Sequence, residues 1–171
     1  MSAQIHKVEA NEDVAGLAET RARVRGTNIN EQTLLATDYL NHFNEIVMTL
    51  EMIPDMPELL EEAQAWRPKG YREHFGDSNV ADKDLAVEVY ELAPARYRQP
   101  FEETIRQMNR LVLRTLERIA EELVGGEVER LRLTTHNNSR LLQRLMDHAS
   151  AIIHGSETTM DQAEIDALME D

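Results

Sequence analysis

Three side chains able to bind a metal ion are spaced along the segment from Asp38 to Glu45. Asp38, His42 and Glu45 lie at positions i, i+4 and i+7, so a helix would place them close to one line. Carboxylates and imidazoles so placed can ligate metals inside a four-helix bundle, but the di-iron pattern needs Glu-x-x-His on two helices. This chain has His-x-x-Glu once. We therefore interpret the three residues as a polar flank beside an apolar stripe, and we expect no metal and no cofactor.

A second polar feature is the run of six residues from Thr134 to Ser139, which interrupts a helical apolar pattern. Continuing that pattern places Thr135 and Asn138 toward the core. Buried polar side chains at such positions lower stability and can set the register or the oligomeric state of packed helices. We predict a register-setting or locally exposed stretch. A polar pocket for a ligand or for a partner's side chain is the alternative.

Aromatic residues cluster around Trp66, with Tyr71 and Phe75 close to it in the sequence. We predict that this cluster packs a long loop onto the rest of the domain. If Trp66 were exposed, it would instead serve as an anchor for another protein, because buried aromatic residues dominate the affinity of many interfaces.

The elements that must position these residues are helices, because apolar residues repeat every three or four positions over most of the chain. The first strong pattern covers Asn30 to Ile53, and Pro54 ends it. Its stripe comprises Leu35, Tyr39, Phe43, Ile46, Leu50 and Ile53. We further predict a short acidic helix over residues 57–66, a long loop over 67–81 and a helix over 82–92.

Two long helices follow. Proline is favoured in the first turn of a helix, so Pro100 predicts the start of one that reaches Val124. The next runs from about Glu127 to His154, and the short Gly125–Gly126 connection predicts an antiparallel hairpin. Its two seams comprise Phe101, Ile105, Met108, Val112, Leu116, Ile119 and Leu123 on one helix, and Val128, Leu131, Leu142, Leu145, Ala149 and Ile152 on the other.

Composition narrows the classes of partner. The chain has 171 residues, a net charge of −14 and no cysteine, which excludes disulfides and thiolate chemistry and fits a cytoplasmic location. The negative charge makes nucleic acid and anionic membranes unlikely partners and favours a protein with a basic patch. The first ten residues lack the apolar core of a signal peptide, and no apolar run is long enough for a membrane span.

The segment after Gly155 is the most informative for function. A polar spacer precedes Met160 to Asp171, where Ile165, Leu168 and Met169 would share one face of a short helix and acidic residues the rest. Three helical turns are marginally stable alone in water. An acidic amphipathic segment at a chain end is typical of a helix that folds into a partner's groove.

The stretch Gln162-Ala163-Glu164-Ile165-Asp166-Ala167-Leu168 resembles the short CheY-binding peptide of the flagellar switch protein FliM. The resemblance covers about a dozen residues. Two residues depart from that family: it usually has Ser where Asp161 stands and a Leu-like residue where Met169 stands. The position also differs, because the FliM peptide lies at the amino end of that protein and the segment here lies at the carboxyl end of the given chain. A helical bundle followed by a spacer and a terminal CheY-binding helix is similar in arrangement to the CheY phosphatase CheZ.

The resemblance implies a binding site and, as an alternative, an activity. Ile165, Leu168 and Met169 would be apolar anchors on the CheY-like receiver domain, while Glu164 and Asp166 would meet its basic residues; Gln162 belongs to the same segment. A phosphatase of that regulator would need an amide that positions the attacking water and an acidic neighbour one turn away. Two pairs have suitable spacing, namely Asp38 with Asn41 and Glu103 with Gln107. Both are common on an acidic helical surface, so we interpret them as solvated helix faces.

We therefore predict an all-α antiparallel bundle of four to five helices. Residues 1–29 would form a flexible arm, residues 30–155 the bundle, and residues 156–171 a linker and a short recognition helix. The predicted function is a bacterial chemotaxis or motility protein that binds a CheY-like regulator. The alternatives are a phosphatase of that regulator and an adaptor bundle that forms a homodimer through its hairpin.

Overall fold

A computed structural model describes residues 16–156 together with residues 165 and 167. The described backbone is mainly helical, which confirms the all-α class. A helical segment at residues 16–24 comes first. It is followed by a 3-10 helix (Thr37–Leu40), α1 (Asn41–Met52), α2 (Leu59–Gln64), α3 (Tyr71–Asp77), α4 (Lys83–Tyr90), α5 (Ala95–Val124) and α6 (Val128–Ile153).

Helices α5 and α6 form the predicted antiparallel hairpin, and their contact is the most extensive between any two described elements. Gly126 adopts a φ of 69°, a conformation that glycine reaches without steric cost. The Glu127 N–H donates to Glu122 O (3.1 Å) and the Gly126 N–H to Leu123 O (3.2 Å), which is the Schellman arrangement. The turn thus satisfies the last carbonyls of α5 while it reverses the chain.

The core lies where α1 packs against α6 and α2 packs against α1 and α5. All six residues of the stripe predicted for the Asn30–Ile53 pattern are buried, although Leu35, Tyr39 and Ile53 lie outside α1. The α5 seam residues are buried as well, apart from the partly buried Leu123. The α6 seam is buried except at Val128, which is 53% exposed. Val128 lies at the tip of the hairpin, where residues 124–130 are all exposed.

The prediction of one helix from Asn30 to Ile53 is wrong at its start. A tight turn begins at Asn30 and precedes the helix. The Asn30 side-chain oxygen accepts hydrogen bonds from the N–H groups of Gln32 (2.8 Å) and Thr33 (3.0 Å). Leu34 then adopts a φ of 61°, which ends the turn, and Ile29 pairs with Ala36 in an antiparallel bridge. The α-helix therefore begins only at Asn41.

Two other element boundaries differ from prediction. The stretch 67–81 is not one loop: Tyr71 and Phe75 lie one turn apart and are both buried, so their packing stabilises α3 despite Gly76 within it. Helix α5 begins at Ala95, after Pro94, and Pro100 lies inside it. The buried Tyr97 in the first turn of α5 ties this added turn to the core.

Part of the predicted amino-terminal arm belongs to the bundle. Val24 and Ile29 are buried in the core, and Arg23 forms an ion pair with Glu88 at 2.9 Å. Residues 16–29 are therefore packed instead of forming a free arm. Residues 1–15 lie outside the described residues.

The end of α6 is a second Schellman turn, centred on Gly155. The Gly155 N–H donates to Ile152 O and the Ser156 N–H to Ala151 O, both at 2.9 Å. Gly155 has a φ of 115°, and a Cβ there would lie 3.0 Å from the side-chain oxygen of Gln32. Gln32 is exposed, and its Nε2 donates to the Tyr97 hydroxyl at 2.6 Å, so a shift of its side chain would disturb this hydrogen bond.

We predict that Gly155→Ala lowers the free energy of unfolding by about 1–3 kcal/mol, because alanine is strained at this φ. Gly76→Ala is the matched control: Gly76 lies within α3 with nothing within 4 Å of an added Cβ. It should raise stability by about 0.5–1 kcal/mol through helix propensity. Urea denaturation measures both changes, and equal changes of the same sign would contradict the prediction.

Candidate functional site

The predicted recognition segment is described at Ile165 and Ala167, and both residues are helical. The Ile165 side chain is only 3% exposed and belongs to the core cluster of its own chain, whereas Ala167 is exposed. Burial of an isoleucine side chain stabilises a structure by about 1.5–3 kcal/mol. The other predicted binding residues, namely Gln162, Glu164, Asp166, Leu168 and Met169, lie outside the described residues.

Ile165 therefore packs against the domain, whereas a residue of a separate recognition helix would be exposed. Its neighbour Ala167 faces solvent two positions away, as expected when one face of a helix is packed. The residue predicted as an anchor for another protein is an anchor within this structure.

The Asp38–Asn41 pair is positioned by the 3-10 helix and the first residue of α1. Each side chain has a partner of its own: the Asn28 amide donates to the Asp38 carboxylate, and the Asn44 amide donates to Asn41 Oδ1 at 3.3 Å. Asn41 is exposed. Each of the two side chains is thus hydrogen-bonded to a different surface residue, and no side-chain hydrogen bond joins Asp38 to Asn41 as one unit.

The Glu103–Gln107 pair is divided between solvent and core. Glu103 lies on the outer face of α5, where its carboxylate pairs with Arg106 at 2.6 Å. The Gln107 side chain is 6% exposed and counts among the buried polar residues of α5. A buried amide does not reach the surface of another protein, so this pair lacks the geometry that a phosphatase requires.

His42 is held by the aromatic cluster. Its Nε2–H donates to Arg67 O at 2.7 Å, its ring stacks on Trp66 at 4.7 Å, and the Trp66 indole N–H donates to His42 O at 3.1 Å. Trp66 is buried, which confirms that the cluster packs this part of the chain onto the bundle. Within the described residues, no group of three or more His, Asp or Glu side chains is arranged to hold a metal ion.

The same cluster favours the neutral form of two histidines, His42 and His74. Burial lowers the pKa of His42 and that of His74, whose ring lies 6.3 Å from the His42 ring. The opposing effects, such as the hydrogen bond from His42 to Arg67 O, only partly offset this lowering. Protonation of either ring therefore opposes folding.

The polar run of α6 contributes a buried hydrogen bond to the hairpin. The Thr134 hydroxyl donates to Glu122 Oε1 at 2.7 Å, and the Arg118 Nε–H donates to the same oxygen at 3.2 Å. Thr135 and Asn138 are buried, as predicted. Because Glu122 and Thr134 lie on opposite helices of the hairpin, their bond specifies how α5 and α6 align, which agrees with the register-setting interpretation.

An open groove runs along the outer side of the polar run, between the end of α1 and α6. It encloses about 750 Å³ and is lined by residues that include Pro54, Arg132, Leu133, His136 and Arg140. Leu133 is 58% exposed, and Met48 and Met52 of α1 are exposed as well.

Homodimerisation through the hairpin stays a prediction. The exposed Val128 and Leu133 are the apolar side chains of α6 that such a dimer would cover.

Comparison with known proteins adds no family to this description. No protein-family model matches the chain, and the searches of curated proteins and of solved structures find no match. Each helix of the described part is either too short or too polar for a bilayer crossing.

We predict that the free energy of unfolding falls as pH drops below about 6.5, the ordinary pKa of histidine. The folded pKa values of His42 and His74 are lowered, so the unfolded chain binds more protons in this window and is favoured. Urea denaturation at pH 7.5 and at pH 5.5 measures how much the free energy of unfolding changes between the two. This change should be smaller in the His42→Gln, His74→Gln double variant than in the wild type. Exposed His136→Gln is the control; a double variant with the wild-type pH dependence would contradict this origin.

We also predict that Thr134→Val lowers the free energy of unfolding by about 1–3 kcal/mol, because a buried carboxylate loses a donor. Thr135→Val is the matched control, since the Thr135 hydroxyl donates to carbonyls of its own helix, Leu131 O at 2.9 Å and Arg132 O at 3.0 Å. Thr135→Val should lower the free energy of unfolding by less than half of the loss in Thr134→Val. Similar losses in both variants would show that the bond to Glu122 adds nothing specific.

Proposed function

We propose that this chain is a cytoplasmic chemotaxis or motility protein that binds a CheY-like receiver domain through residues 160–171. The observation that carries the proposal is the acidic amphipathic pattern of this segment, whose described residues, Ile165 and Ala167, are helical. The segment carries five acidic side chains and no basic one, which suits a partner with a basic surface.

The chemistry of recognition follows from the residue types. Ile165, Leu168 and Met169 have the spacing of one apolar helical face, which is how an amphipathic helix occupies a groove. Ile165 is 3% exposed in the free chain, so the proposal requires that this side chain leaves its own core when the partner binds. Glu164 and Asp166 supply charge at the rim, where it accelerates encounter and fixes orientation more than it adds affinity. Binding is thus the function that this segment can perform without a cofactor.

The phosphatase alternative receives less support from the described geometry. It requires an amide that can enter another protein's active site, and Gln107 is buried. Asn41 is exposed, but its side-chain oxygen accepts a hydrogen bond from Asn44, and its acidic neighbour Asp38 is bonded to Asn28. We therefore propose binding without catalysis.

Calorimetric titration of the full-length chain with a receiver domain, with and without a phosphoryl mimic, tests this proposal. Reversing the charges of Glu164 and Asp166 to Lys should weaken binding at least tenfold, because both carboxylates lose their basic partners. Glu61→Lys with Glu62→Lys is the matched control: both residues are exposed on α2, and the net charge changes equally. The control should bind within about threefold of the wild type.

Two outcomes would refute the proposal. The wild-type chain would fail to bind the receiver in either state, or both charge-reversed variants would weaken binding equally. The second outcome would mean that net charge, and not residues 160–171, attracts the partner.

A further inference from the structure

The outer face of α6 is basic in a chain that is otherwise acidic. Residues 130–146 include four arginines and no aspartate or glutamate, whereas the whole chain has a net charge of −14. Two of the four, Arg140 and Arg144, are exposed at positions i and i+4, where like charges repel each other. Neither forms an ion pair with a carboxylate of the described residues, whereas the other two arginines do. This face can therefore accept carboxylates from outside the chain.

A strip of exposed apolar side chains lies beside this basic face. Helix α1 contacts both α6 and α2, and no comparable contact joins α2 to α6 among the described elements, so α1 lies between them. Met48 and Met52 of α1 are one turn apart and are 63% and 45% exposed. Leu133 is exposed in the groove of about 750 Å³ between α1 and α6. Methionine is flexible and polarizable, which suits a surface that packs against another helix.

The side of α1 that faces away from α6 carries the opposite charge. Glu58, directly before α2, and Glu61 and Glu62 within it are exposed. None of the three forms an ion pair with another described residue. Glu58 and Glu62 have the same i, i+4 spacing as the two arginines, which is about 6 Å along a helix. The surface is thus acidic at α2, apolar at α1 and basic at α6.

A surface with this order of charges is complementary to a second copy of itself. In a dimer with a two-fold axis, the same patch of both copies forms the interface, so each contact occurs twice. An axis through the middle of α1 would place the acidic α2 of each copy against the basic α6 of the other. The exposed methionines of the two copies would meet at the centre.

We propose that the chain forms a symmetric homodimer through this surface. Met48 and Met52 of both copies form its apolar centre, and Glu58 and Glu62 of each copy pair with the two exposed arginines of the second copy. The inference gives the predicted homodimer a specific interface. It uses no residue of 156–171, so its outcome does not depend on the proposed receiver binding.

The size of the surface predicts a dimer of moderate affinity. Three helices spaced about 9 Å apart and about 18 Å of helix length give roughly 500 Å² in projection. Stable complexes bury about 800 Å² on each partner, so we expect a dissociation constant in the micromolar range. Repulsion between two acidic copies opposes association, but at 0.15 M salt it is screened beyond about 8 Å. Contacts between neighbouring charges are affected less.

Sedimentation equilibrium of the full chain at 0.15 M salt, from low micromolar to submillimolar concentration, tests the proposal. Arg140→Glu with Arg144→Glu should raise the dissociation constant at least tenfold, because four contacts in the dimer become repulsive. Arg110→Glu with Arg114→Glu is the matched control, with the same spacing and the same change in net charge on exposed positions of α5. The control should dimerise within about threefold of the wild type.

The reverse change separates specific pairing from net charge. Glu58→Arg with Glu62→Arg makes the chain less negative, so an effect of net charge alone would tighten association. The proposed interface predicts the opposite, a dissociation constant at least tenfold higher. An equimolar mixture of this variant with the arginine-to-glutamate variant should dimerise about as well as the wild type, because every contact again joins opposite charges. Recovery in the mixture also shows that both variants are folded.

Four results would overturn the proposal. The wild-type chain would remain monomeric over the whole concentration range, or Glu58→Arg with Glu62→Arg would associate as well as the wild type or better. The mixture of the two variants would fail to associate, or the control on α5 would lose association to the same extent. The last result would place the contact on the other face of the hairpin.

Discussion

The packing of α5 against α6 is the interaction on which the rest of the structure depends. The two helices bury facing seams along most of their length, and α1 adds its own apolar stripe to the α6 side. Close packing of this kind leaves few alternatives for alignment. The buried bond between Thr134 and Glu122 restricts the alignment further, because a one-residue slip would leave the Glu122 carboxylate without a donor from the facing helix.

Much of this architecture could be predicted from the spacing of apolar residues. The stripe of α1 and the seams of the hairpin follow a helical period, and burial of one helix face is what that period encodes. The boundaries could not be predicted equally well. The turn at Asn30 depends on the positive φ of Leu34, and α3 depends on the contact of Tyr71 with the distant Tyr39. Local propensity reports neither of these effects.

The candidate site shows the same division between local pattern and long-range contact. The amphipathic face of residues 160–171 is visible in the sequence, whereas the burial of Ile165 in its own core is not, because it depends on residues far along the chain. Glu122 was not identified from the sequence as the partner of the polar run. Its spacing could have indicated this role, because Glu122 lies three positions after the seam residue Ile119 and so faces the other helix. The Glu103–Gln107 spacing suggested a shared face, yet that face straddles the edge of the core.

The account's central claim is that residues 160–171 bind a CheY-like receiver domain. Hydrogen exchange over these residues in the full-length chain, with and without a phosphorylated receiver domain, tests this claim most directly, because backbone amides that are held in a helix against a partner exchange more slowly. The account predicts that the receiver domain slows exchange in residues 160–171 and leaves the α5–α6 hairpin unaffected. Exchange of residues 160–171 that does not change at saturating receiver domain would contradict it.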